Sequence, residues 1–170
     1  MSAGLAGVRT DPSGAFSPVL IYTQRMTTEL DRAVAGRLER AHQRYTAGRR
    51  ELVAALAAEA KPVTIPEIRR LRPELAQSSV YRNLTVLEQA GVVTKVVTNS
   101  EWGRYELAED LTGHHHHHLI CSGCGLVRDV ELPRTLERSI DGLLATVTVD
   151  TGFVIDEHRL DLVGRCRECA

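Results

Sequence analysis

The segment Ser78–Gly91, which reads SSVYRNLTVLEQAG, decides the fold of the first half of the chain. Within it, Val80, Leu84 and Leu87 recur at spacings of three and four residues, and this pattern predicts a helix with one buried stripe. Gly91 follows at the place where a glycine commonly ends a helix. The segment therefore predicts one well-bounded helix whose opposite face is open for function.

The first turn of this helix carries polar side chains suited to DNA. In a helix-turn-helix, the N-terminal residues of the second helix enter the major groove. Arginine can bond guanine, asparagine can bond adenine, and serine or tyrosine can hold phosphate. The predicted DNA-binding residues are Ser78, Ser79, Tyr81, Arg82 and Asn83, together with Arg44 and Arg49 at the boundary between two earlier helices. An ordinary solvated helix face is the alternative interpretation.

Three helices are predicted ahead of this segment. Apolar residues at helical spacing predict one helix from Thr28 to about Arg44 and a second that begins at Arg49. Thr64 and Glu67 match a capping box, which predicts the start of a third helix. Together with the helix described above, they supply the helices of a helix-turn-helix domain.

The residues after these helices change to a strand pattern. β-branched residues dominate 92–97, residues 99–103 suit a turn, and residues 104–107 suit a returning strand. A hairpin in this place is typical of a winged helix-turn-helix. We therefore predict a winged-helix DNA-binding domain over residues 27–108, preceded by a flexible tail over residues 1–26 that is rich in Gly, Ser, Ala and Pro.

The last part of the chain, residues 109–170, is expected to fold as a small α/β unit. The predicted elements are a helix over 136–145 and short strands over 119–120, 127–130, 147–149 and 160–163. The predicted fold class is therefore α+β, with an N-terminal winged helix-turn-helix domain followed by a small α/β domain.

Charge divides along the same boundary. The 170-residue chain has a formal net charge of −1, which by itself argues against a nucleic-acid partner. Residues 27–108, however, hold 13 basic against 10 acidic side chains, whereas residues 109–170 hold 6 against 11. The two parts are therefore expected to have different functions. Because the sequence contains neither a membrane-length apolar run nor a secretory signal, we predict a cytoplasmic protein without a membrane partner.

The four cysteines form two C-x-x-C pairs, Cys121 with Cys124 and Cys166 with Cys169, separated by 41 residues. Two thiolates at this spacing can hold one ion from a tight turn, and two such turns complete a tetrahedral zinc site. Disulfides are the alternative, but the cytosol keeps thiols reduced. A redox C-x-x-C would not require the second pair. The four cysteines are therefore predicted to bind a structural Zn²⁺.

Five consecutive histidines, His114 to His118, precede a predicted strand. A purification tag would stand at a terminus, whereas this run is internal. If the segment is extended, alternate side chains face opposite sides, so His116 and His118 would serve one metal site while His115 and His117 serve another. The candidates for further ligands are Glu106, Asp110, Asp129, Glu137 and His158. Imidazole with carboxylate suits Zn, Fe, Mn, Co or Ni.

Taken together, these motifs resemble the ferric uptake regulator (Fur) family of bacterial metal-dependent repressors. The resemblance extends from about Arg44 to Cys169. Its marks are Thr46-x-x-Arg49, Ser79-Val80-Tyr81-Arg82-Asn83-Leu84, Leu87-Glu88-x-Ala90-Gly91, Tyr105-Glu106-Leu107, His115 to Cys121, Cys124-Gly125, Gly152-Phe153, His158-x-Leu160 and Gly164-x-Cys166-x-x-Cys169. Their number and order make the resemblance specific.

The resemblance implies a homodimer with an N-terminal DNA-binding domain and a C-terminal dimerisation domain. It implies that the four cysteines hold the family's structural zinc and that His116 and His118 belong to a sensing site at the hinge between the domains. The residues matched to a second site, inside the dimerisation domain, are His115, His117, Glu137 and His158. Tyr81 and Arg82 match DNA-contacting positions, and Arg44 matches a basic minor-groove position.

The chain departs from the family pattern at the sensing site. Many members draw a further ligand, usually histidine, from the DNA-binding domain, where this chain has Pro62-Val63-Thr64. Glu106 matches a sensing ligand by motif and Asp110 matches it by distance from the histidines, so both are candidates. Asp129 matches a carboxylate used in the peroxide-sensing branch. That branch uses oxidation of the histidine that is absent here, which argues against peroxide sensing.

We therefore predict a metal-responsive transcriptional repressor that controls metal uptake or homeostasis genes. The sensed ion is expected to be Fe²⁺ or Zn²⁺, with Mn²⁺ and Ni²⁺ as further alternatives, and the DNA is expected to be a palindromic operator. A peroxide-responsive repressor and a zinc-storage protein that uses the histidine run are alternative functions. An enzyme is not expected, because the sequence has no H-E-x-x-H motif or comparable nucleophile arrangement.

Overall fold

A computed structural model describes residues 18–59, 61–98, 103–113 and 115–170, with side chains described from residue 28 onward. Helices and strands are combined in the α+β arrangement that the sequence predicts. In chain order the elements are α1 (Pro18–Arg40), α2 (Ala47–Glu59), β1 (Val63–Thr64), α3 (Ile65–Leu71), α4 (Gln77–Gln89), β2 (Val93–Val96), β3 (Arg104–Leu107), α5 (Glu109–Thr112), β4 (His117–Cys121), β5 (Val127–Val130), α6 (Arg134–Thr151) and β6 (Asp161–Gly164).

Helices α1 to α4 pack around one apolar core. The stripes predicted from their spacing are buried: Val34, Leu38, Leu52, Val53, Leu56, Ile68, Val80, Leu84 and Leu87. Burying a side chain of this size stabilises the fold by about 1.5–3 kcal/mol relative to leaving it exposed. This core therefore fixes how α4 is presented on the surface.

A capping box begins α3 and a glycine ends α4, at the places that the sequence predicts. The backbone N–H of Thr64 donates to Glu67 Oε2 at 2.7 Å, and the backbone N–H of Glu67 donates to Thr64 Oγ1 at 3.3 Å, which completes the capping box of α3. Gly91 follows α4 with φ of 66°, in the left-handed region that glycine adopts without strain. Both predictions are confirmed.

A three-stranded antiparallel sheet forms the wing, in the order β1-β3-β2. The central strand β3 places Tyr105 opposite Val63 of β1 and Glu106 opposite Thr94 of β2. Strands β2 and β3 confirm the predicted hairpin strands, whereas β1 is too short to show a period in the sequence. The predicted turn lies at residues 99–103, of which 99–102 are outside the described residues.

The second sheet has the order β5-β4-β6. Its central strand β4 pairs antiparallel with β5, where His118 faces Asp129, and parallel with β6, where Cys121 faces Gly164. The connection from β5 to β6 includes α6. This parallel pairing brings the end of the chain beside the first C-x-x-C turn.

The two sheets contact each other through a small apolar cluster and one arginine. Val96 of β2 packs with Ile120 of β4 and Val127 of β5. Beside them, Arg104 of β3 crosses from the wing to the turn that follows Cys124. The wing and the second sheet are therefore in direct contact at this point.

Arg104 makes three bonds at this junction, one to the second sheet and two within the N-terminal part, which we call the Arg104 brace. Its Nε donates to the carbonyl of Gly125 at 3.1 Å, and its Nη1 donates to the carbonyl of Pro62 and to Glu67 Oε2, both at 3.2 Å. The side chain is 16% exposed. Burial alone would raise the pKa of Glu67, but the bonds from Thr64 and the charge of Arg104 outweigh burial and lower this pKa.

One sequence prediction is wrong in these regions, and one meets a helix at its edge. Residues 147–149 were expected to form a strand but belong to α6, because the helical stripe of Leu136, Ile140, Leu143 and Val147 continues through them. Residues 18–26, expected in a flexible tail, lie in α1, which begins at Pro18, a residue suited to the first turn of a helix. The rest of that predicted tail, residues 1–17, and His114 are outside the described residues.

Helix α6 and the residues after it expose a broad set of apolar side chains in the single chain. The large exposed residues in this region are Leu136, Leu143, Val147, Val149, Phe153, Val154, Leu162 and Val163. Exposed apolar surface of this extent is typical of a protein interface.

Candidate metal centres and DNA-binding face

The four cysteines come together at one end of the second sheet, where we call them the tetra-cysteine cluster. Cys121 ends β4 and Cys124 lies in the following turn, while Cys166 and Cys169 follow β6. All are free thiols, and their sulfur atoms lie within 4.8 Å of one another. The parallel pairing of β4 with β6 therefore unites two motifs that are distant in sequence.

The geometry of the tetra-cysteine cluster fits a tetrahedral zinc site. Zn–S bonds of about 2.3 Å place two ligand sulfurs about 3.8 Å apart, and the Sγ atoms of Cys124 and Cys166 lie 3.8 Å apart. The backbone N–H of Cys166 donates to Cys121 Sγ at 3.2 Å. This bond, with those from Cys124 and Gly123, lowers the pKa of Cys121 to about 6 and favours the thiolate that zinc requires.

Gly123 gives the turn its close fit. A Cβ atom at this position would stand 2.9 Å from Cys169 Cβ and 3.0 Å from Cys169 Sγ, which is too near for a side chain. The glycine therefore allows the first C-x-x-C turn to approach the second.

A second group, the hinge cluster, contains Glu106, His116, His118 and Asp129, whose ligand atoms lie within 4.8 Å of one another. His116 Nε2 is 3.1 Å from Glu106 Oε2, and His118 Nε2 is 3.2 Å from Glu106 Oε1. Glu106 belongs to β3 of the wing, whereas His118 and Asp129 face each other across β4 and β5. The cluster therefore joins the two sheets.

Electrostatics in the hinge cluster favour a cation. Burial, reinforced by the nearby Glu106 charge, raises the pKa of Asp129. Burial disfavours the charged form of His118, but its bonds to Glu106 and Asp161 outweigh burial and raise its pKa. Two imidazoles and two carboxylates form a donor set suited to Fe²⁺, Zn²⁺ or Mn²⁺.

Of the two carboxylates predicted as alternatives for this cluster, the structure brings Glu106 to the histidines and leaves Asp110 apart. Asp110 is 69% exposed and pairs with Arg37 of α1. The reason is α5, a four-residue helix that turns the chain between β3 and the histidine run.

The third group, the helix cluster, contains His115, His117, Glu137 and His158. His117 Nε2 is 2.9 Å from Glu137 Oε1, and His115 Nε2 is 3.3 Å from His158 Nε2. Burial would raise the pKa of Glu137, but its hydrogen bond with His117 and the charges of the three histidines lower it. Glu137 lies in the first turn of α6.

His117 offers an observation that fits a metal ligand. Its side chain is 1% exposed, and its Nδ1 is buried without a hydrogen-bond partner among the described residues. A buried ring nitrogen in this situation is costly unless another group uses its lone pair or proton. The donor set and this orphaned atom together fit a cation at the helix cluster.

The predicted alternation of the histidine run is found in the structure. His116 and His118 lie in the hinge cluster, whereas His115 and His117 lie in the helix cluster. A cavity of about 390 Å³ is lined by residues of both clusters. One extended segment thus contributes to two neighbouring sites.

Two carboxylates escaped prediction from the sequence. Asp161 Oδ1 lies 3.2 Å from His118 Nδ1, and Glu109 Oε2 lies 2.6 Å from His115 Nδ1. Asp161 reaches its place through the β4–β6 pairing, for which the sequence has no local signal. Glu109 lies six residues before His115, and this closeness in sequence to the histidine run is the signal that could have identified it.

The predicted DNA-binding residues occupy one end of α4 and the α1–α2 connection. Ser78 and Arg82 are exposed, and Tyr81 is 41% exposed. Ser79 is half-buried, and Arg44 is exposed in the α1–α2 connection.

One of the predicted DNA contacts, Arg49, is engaged within the domain, and a second, Asn83, lies close to the start of α2. Asn83 Nδ2 would lie 3.3 Å from a Cβ atom at Gly48. Arg49 donates to the carbonyl of Arg44 and to Gln43 Oε1. Arg82 stays exposed on α4, where its Nε donates to the carbonyl of Ser78 at 3.3 Å.

In the part of the chain that the structure describes, no helix combines the length and the apolar character needed to cross a membrane.

Comparison with known proteins yields one family. The profile of the ferric uptake regulator family matches residues 40–163. The chain is 32% identical over 102 residues to the ferric uptake regulation protein of Bacillus subtilis, covering 60% of this chain and 65% of that protein. It is also 28% identical over 145 residues to the peroxide-responsive repressor PerR of Staphylococcus epidermidis, covering 83% of this chain and 90% of that protein.

A solved structure shares the fold. The Helicobacter pylori ferric uptake regulator Fur, described as having three functional metal binding sites, aligns with a TM-score of 0.63 at 24% identity. The alignment covers 85% of this chain and 93% of that one. The chain spans just under two thirds of the length of the Bacillus subtilis relative.

Proposed function

This chain belongs to the ferric uptake regulator family, and on that premise we propose that it is a metal-responsive, DNA-binding transcriptional repressor of metal uptake or homeostasis genes. The observation that carries the proposal is the hinge cluster, which draws Glu106 from the wing and its other members from the second sheet. A site built from both parts can make their relative orientation depend on a bound ion. Such dependence is what a metal-responsive regulator requires.

The residues of the hinge cluster would act by position and charge. Glu106 holds a carboxylate between His116 and His118, while Asp129 approaches from β5. A divalent cation supplies the positive charge that these donors lack when they are brought together. Fe²⁺ or Zn²⁺ suits this set best, and Mn²⁺ or Ni²⁺ are further candidates.

The other two clusters would have separate roles. We assign a structural Zn²⁺ to the tetra-cysteine cluster, because four thiolates make a closed tetrahedral set. The helix cluster would hold a second ion inside the C-terminal unit, which we place at residues 109–170, after a DNA-binding unit at residues 27–108. Cytoplasmic action follows from a role on DNA.

The DNA partner is proposed from the face of α4. Tyr81 and Arg82 would reach the major groove, and Arg44 would contact the backbone beside it. The basic excess of residues 27–108 is modest, so tight binding should require two copies on a palindromic operator, with half-sites about one helical turn apart. The exposed apolar side chains of α6 and β6 offer the surface for such a homodimer.

A peroxide-responsive repressor is the second candidate. The Staphylococcus epidermidis PerR alignment covers more of the chain than the Bacillus subtilis one, and Asp129 lies in the hinge cluster. Against it, residue 62 is a proline whose carbonyl accepts a bond from Arg104, so no oxidisable histidine stands there. We therefore favour metal sensing.

The proposal is tested by DNA binding with and without metal. Fluorescence anisotropy on the gene's own promoter would compare wild type with a variant carrying His116→Ala and His118→Ala, each titrated with Fe²⁺, Zn²⁺, Mn²⁺ and Ni²⁺. Wild type should gain affinity by about 5- to 150-fold with one of these ions. The double variant should lose this gain while retaining its cysteine-bound zinc.

A histidine outside both clusters provides the control. His42 has φ of 55°, so His42→Asn preserves a residue that tolerates this backbone. The control should keep the metal-induced gain. If wild type binds several ions but binds no promoter DNA with any of them, a zinc-storage function would replace the repressor.

A further inference from the structure

We propose that Glu109 is a positioning residue that couples the hinge cluster to the helix cluster, so that an ion in one site increases the affinity of the other. The inference rests on the proposed function, since it takes both clusters as metal sites. Glu109 itself belongs to neither cluster.

The contacts of Glu109 divide between two consecutive histidines. Its Oε2 lies 2.6 Å from His115 Nδ1, and its Oε1 accepts from the backbone N–H of His116 at 3.2 Å. The same Oε1 is 3.5 Å from His116 Nδ1. One carboxylate therefore holds a member of the helix cluster with one oxygen and a member of the hinge cluster with the other.

The far nitrogen of each ring points into its cluster. His115 Nε2 lies 3.3 Å from His158 Nε2, and His116 Nε2 lies 3.1 Å from Glu106 Oε2. A carboxylate that accepts from Nδ1–H fixes the neutral tautomer whose Nε2 carries the lone pair for a metal. Glu109 therefore orients the His115 ring through Nδ1 and holds His116 in place through its backbone N–H.

The local fold holds Glu109 firmly. Its carbonyl accepts from the Gly113 backbone N–H at 2.7 Å and from Thr112 Oγ1 at 3.0 Å, and Gly113 ends α5 with φ of 72°. The next residue, Asp110, pairs with Arg37 of α1. The carboxylate is therefore carried by a short helix anchored to the DNA-binding helices.

Coupling follows from sharing one carboxylate. Ligation of His115 makes its Nδ1–H a stronger donor and orders Glu109, which then holds His116 in place before an ion reaches the hinge cluster. The entropy cost of ordering Glu109 is met by the first ion to bind. The second ion should therefore bind more tightly when the other site is filled than when the other site is empty. By reciprocity, the same factor operates in the other direction.

The test measures metal binding alone, so its failure is distinguishable from failure of the DNA-binding proposal. Zn²⁺ would be titrated against a competing chelator, using full-length protein that retains zinc at its cysteines. Two backgrounds isolate the sites: His158→Ala weakens the helix cluster, and His118→Ala weakens the hinge cluster. Glu109→Ala should lower Zn²⁺ affinity about 10- to 100-fold in each background.

The intact pair of sites reports the coupling itself. In a chain with both sites, filling the helix cluster should raise hinge-cluster affinity at least about 5-fold, the lower end of typical coupling. Glu109→Ala should abolish this factor. In the ion-depleted protein, the long-range ¹H–¹⁵N spectrum of His115 should lose the fixed Nδ1–H tautomer in the same variant, a change that mere loss of packing would not produce.

Glu157 supplies a charge-matched control. It lines the same cavity, and it makes no hydrogen bond or ion pair with the histidines of the described residues. Glu157→Gln should leave both affinities, the coupling factor and the His115 tautomer unchanged. The proposal is overturned if Glu109→Ala weakens only one background, if the coupling factor survives it, or if Glu157→Gln has the same effect.

Discussion

Arg104→Ala removes the brace that joins the wing, the start of α3 and the turn of the tetra-cysteine cluster. The bonds to the carbonyls of Gly125 and Pro62 should each contribute about 1 kcal/mol net. The ion pair with Glu67 adds at most about 1 kcal/mol, because both side chains keep some solvent access. We therefore expect the free energy of unfolding to fall by about 3 kcal/mol.

Urea unfolding followed by circular dichroism would measure this loss at one fixed protein concentration, because the proposed dimerisation would make stability depend on concentration. With a slope of about 1–3 kcal/mol per molar urea, the midpoint should fall by about 1–3 M. Arg104→Lys should show an intermediate loss, since an ammonium keeps the charge beside Glu67 but lacks the planar fork that reaches several acceptors.

Arg128, an exposed arginine on β5, provides the control substitution. Arg128→Ala should change the free energy of unfolding by no more than about 0.5 kcal/mol. If Arg104→Ala costs no more than this control, the three bonds contribute nothing measurable and the reasoning is refuted.

Three further predictions concern other parts of the molecule. Gly123→Ala should speed chelator-induced zinc loss, because the new methyl group would press on Cys169; an unchanged release rate would contradict the packing described. Glu67→Gln should lower stability by about 1 kcal/mol at pH 7. Since the folded-state pKa of Glu67 is lowered, its contribution is present above the ordinary value near 4.5 and fades as pH falls below it, so urea midpoints of the two proteins should converge in acid rather than stay apart. Leu143→Asp on α6, where the leucine is 62% exposed, should shift sedimentation toward the monomer; an unaltered dimer would place the interface elsewhere.

The local features of the site were predictable from the sequence. The cysteine pairs and the alternation of His115 to His118 depend on neighbours a few residues apart, where side-chain direction follows from strand geometry. The same holds for the capping box of Thr64 and Glu67. In the structure, the cysteine pairs, the alternating histidines and the two capping residues each lie beside the neighbours that the sequence predicts.

The missing parts depend on contacts that spacing cannot reveal. The choice between Glu106 and Asp110 turns on α5, which is too short to show a helical period. Asp161 reaches His118 only through a parallel pairing between strands more than forty residues apart. Residues 147–149 were misassigned because valines favour strands intrinsically, while the stripe of α6 outweighs that preference.

Because the histidine run is uniform, its own side chains do not define the register of β4. A shift of one residue in the register of β4 would move each imidazole at 115–118 to the opposite face of the sheet. Most of the ligand positions would nevertheless still be filled by a histidine. The register must therefore be set downstream, where Ile120 is buried and Cys121 is held among the other cysteines. An ion bound by the cysteines would thus fix the register of β4 and keep each histidine in its own site. Loss of that ion should therefore alter the metal selectivity of the two histidine clusters before the sheet unfolds.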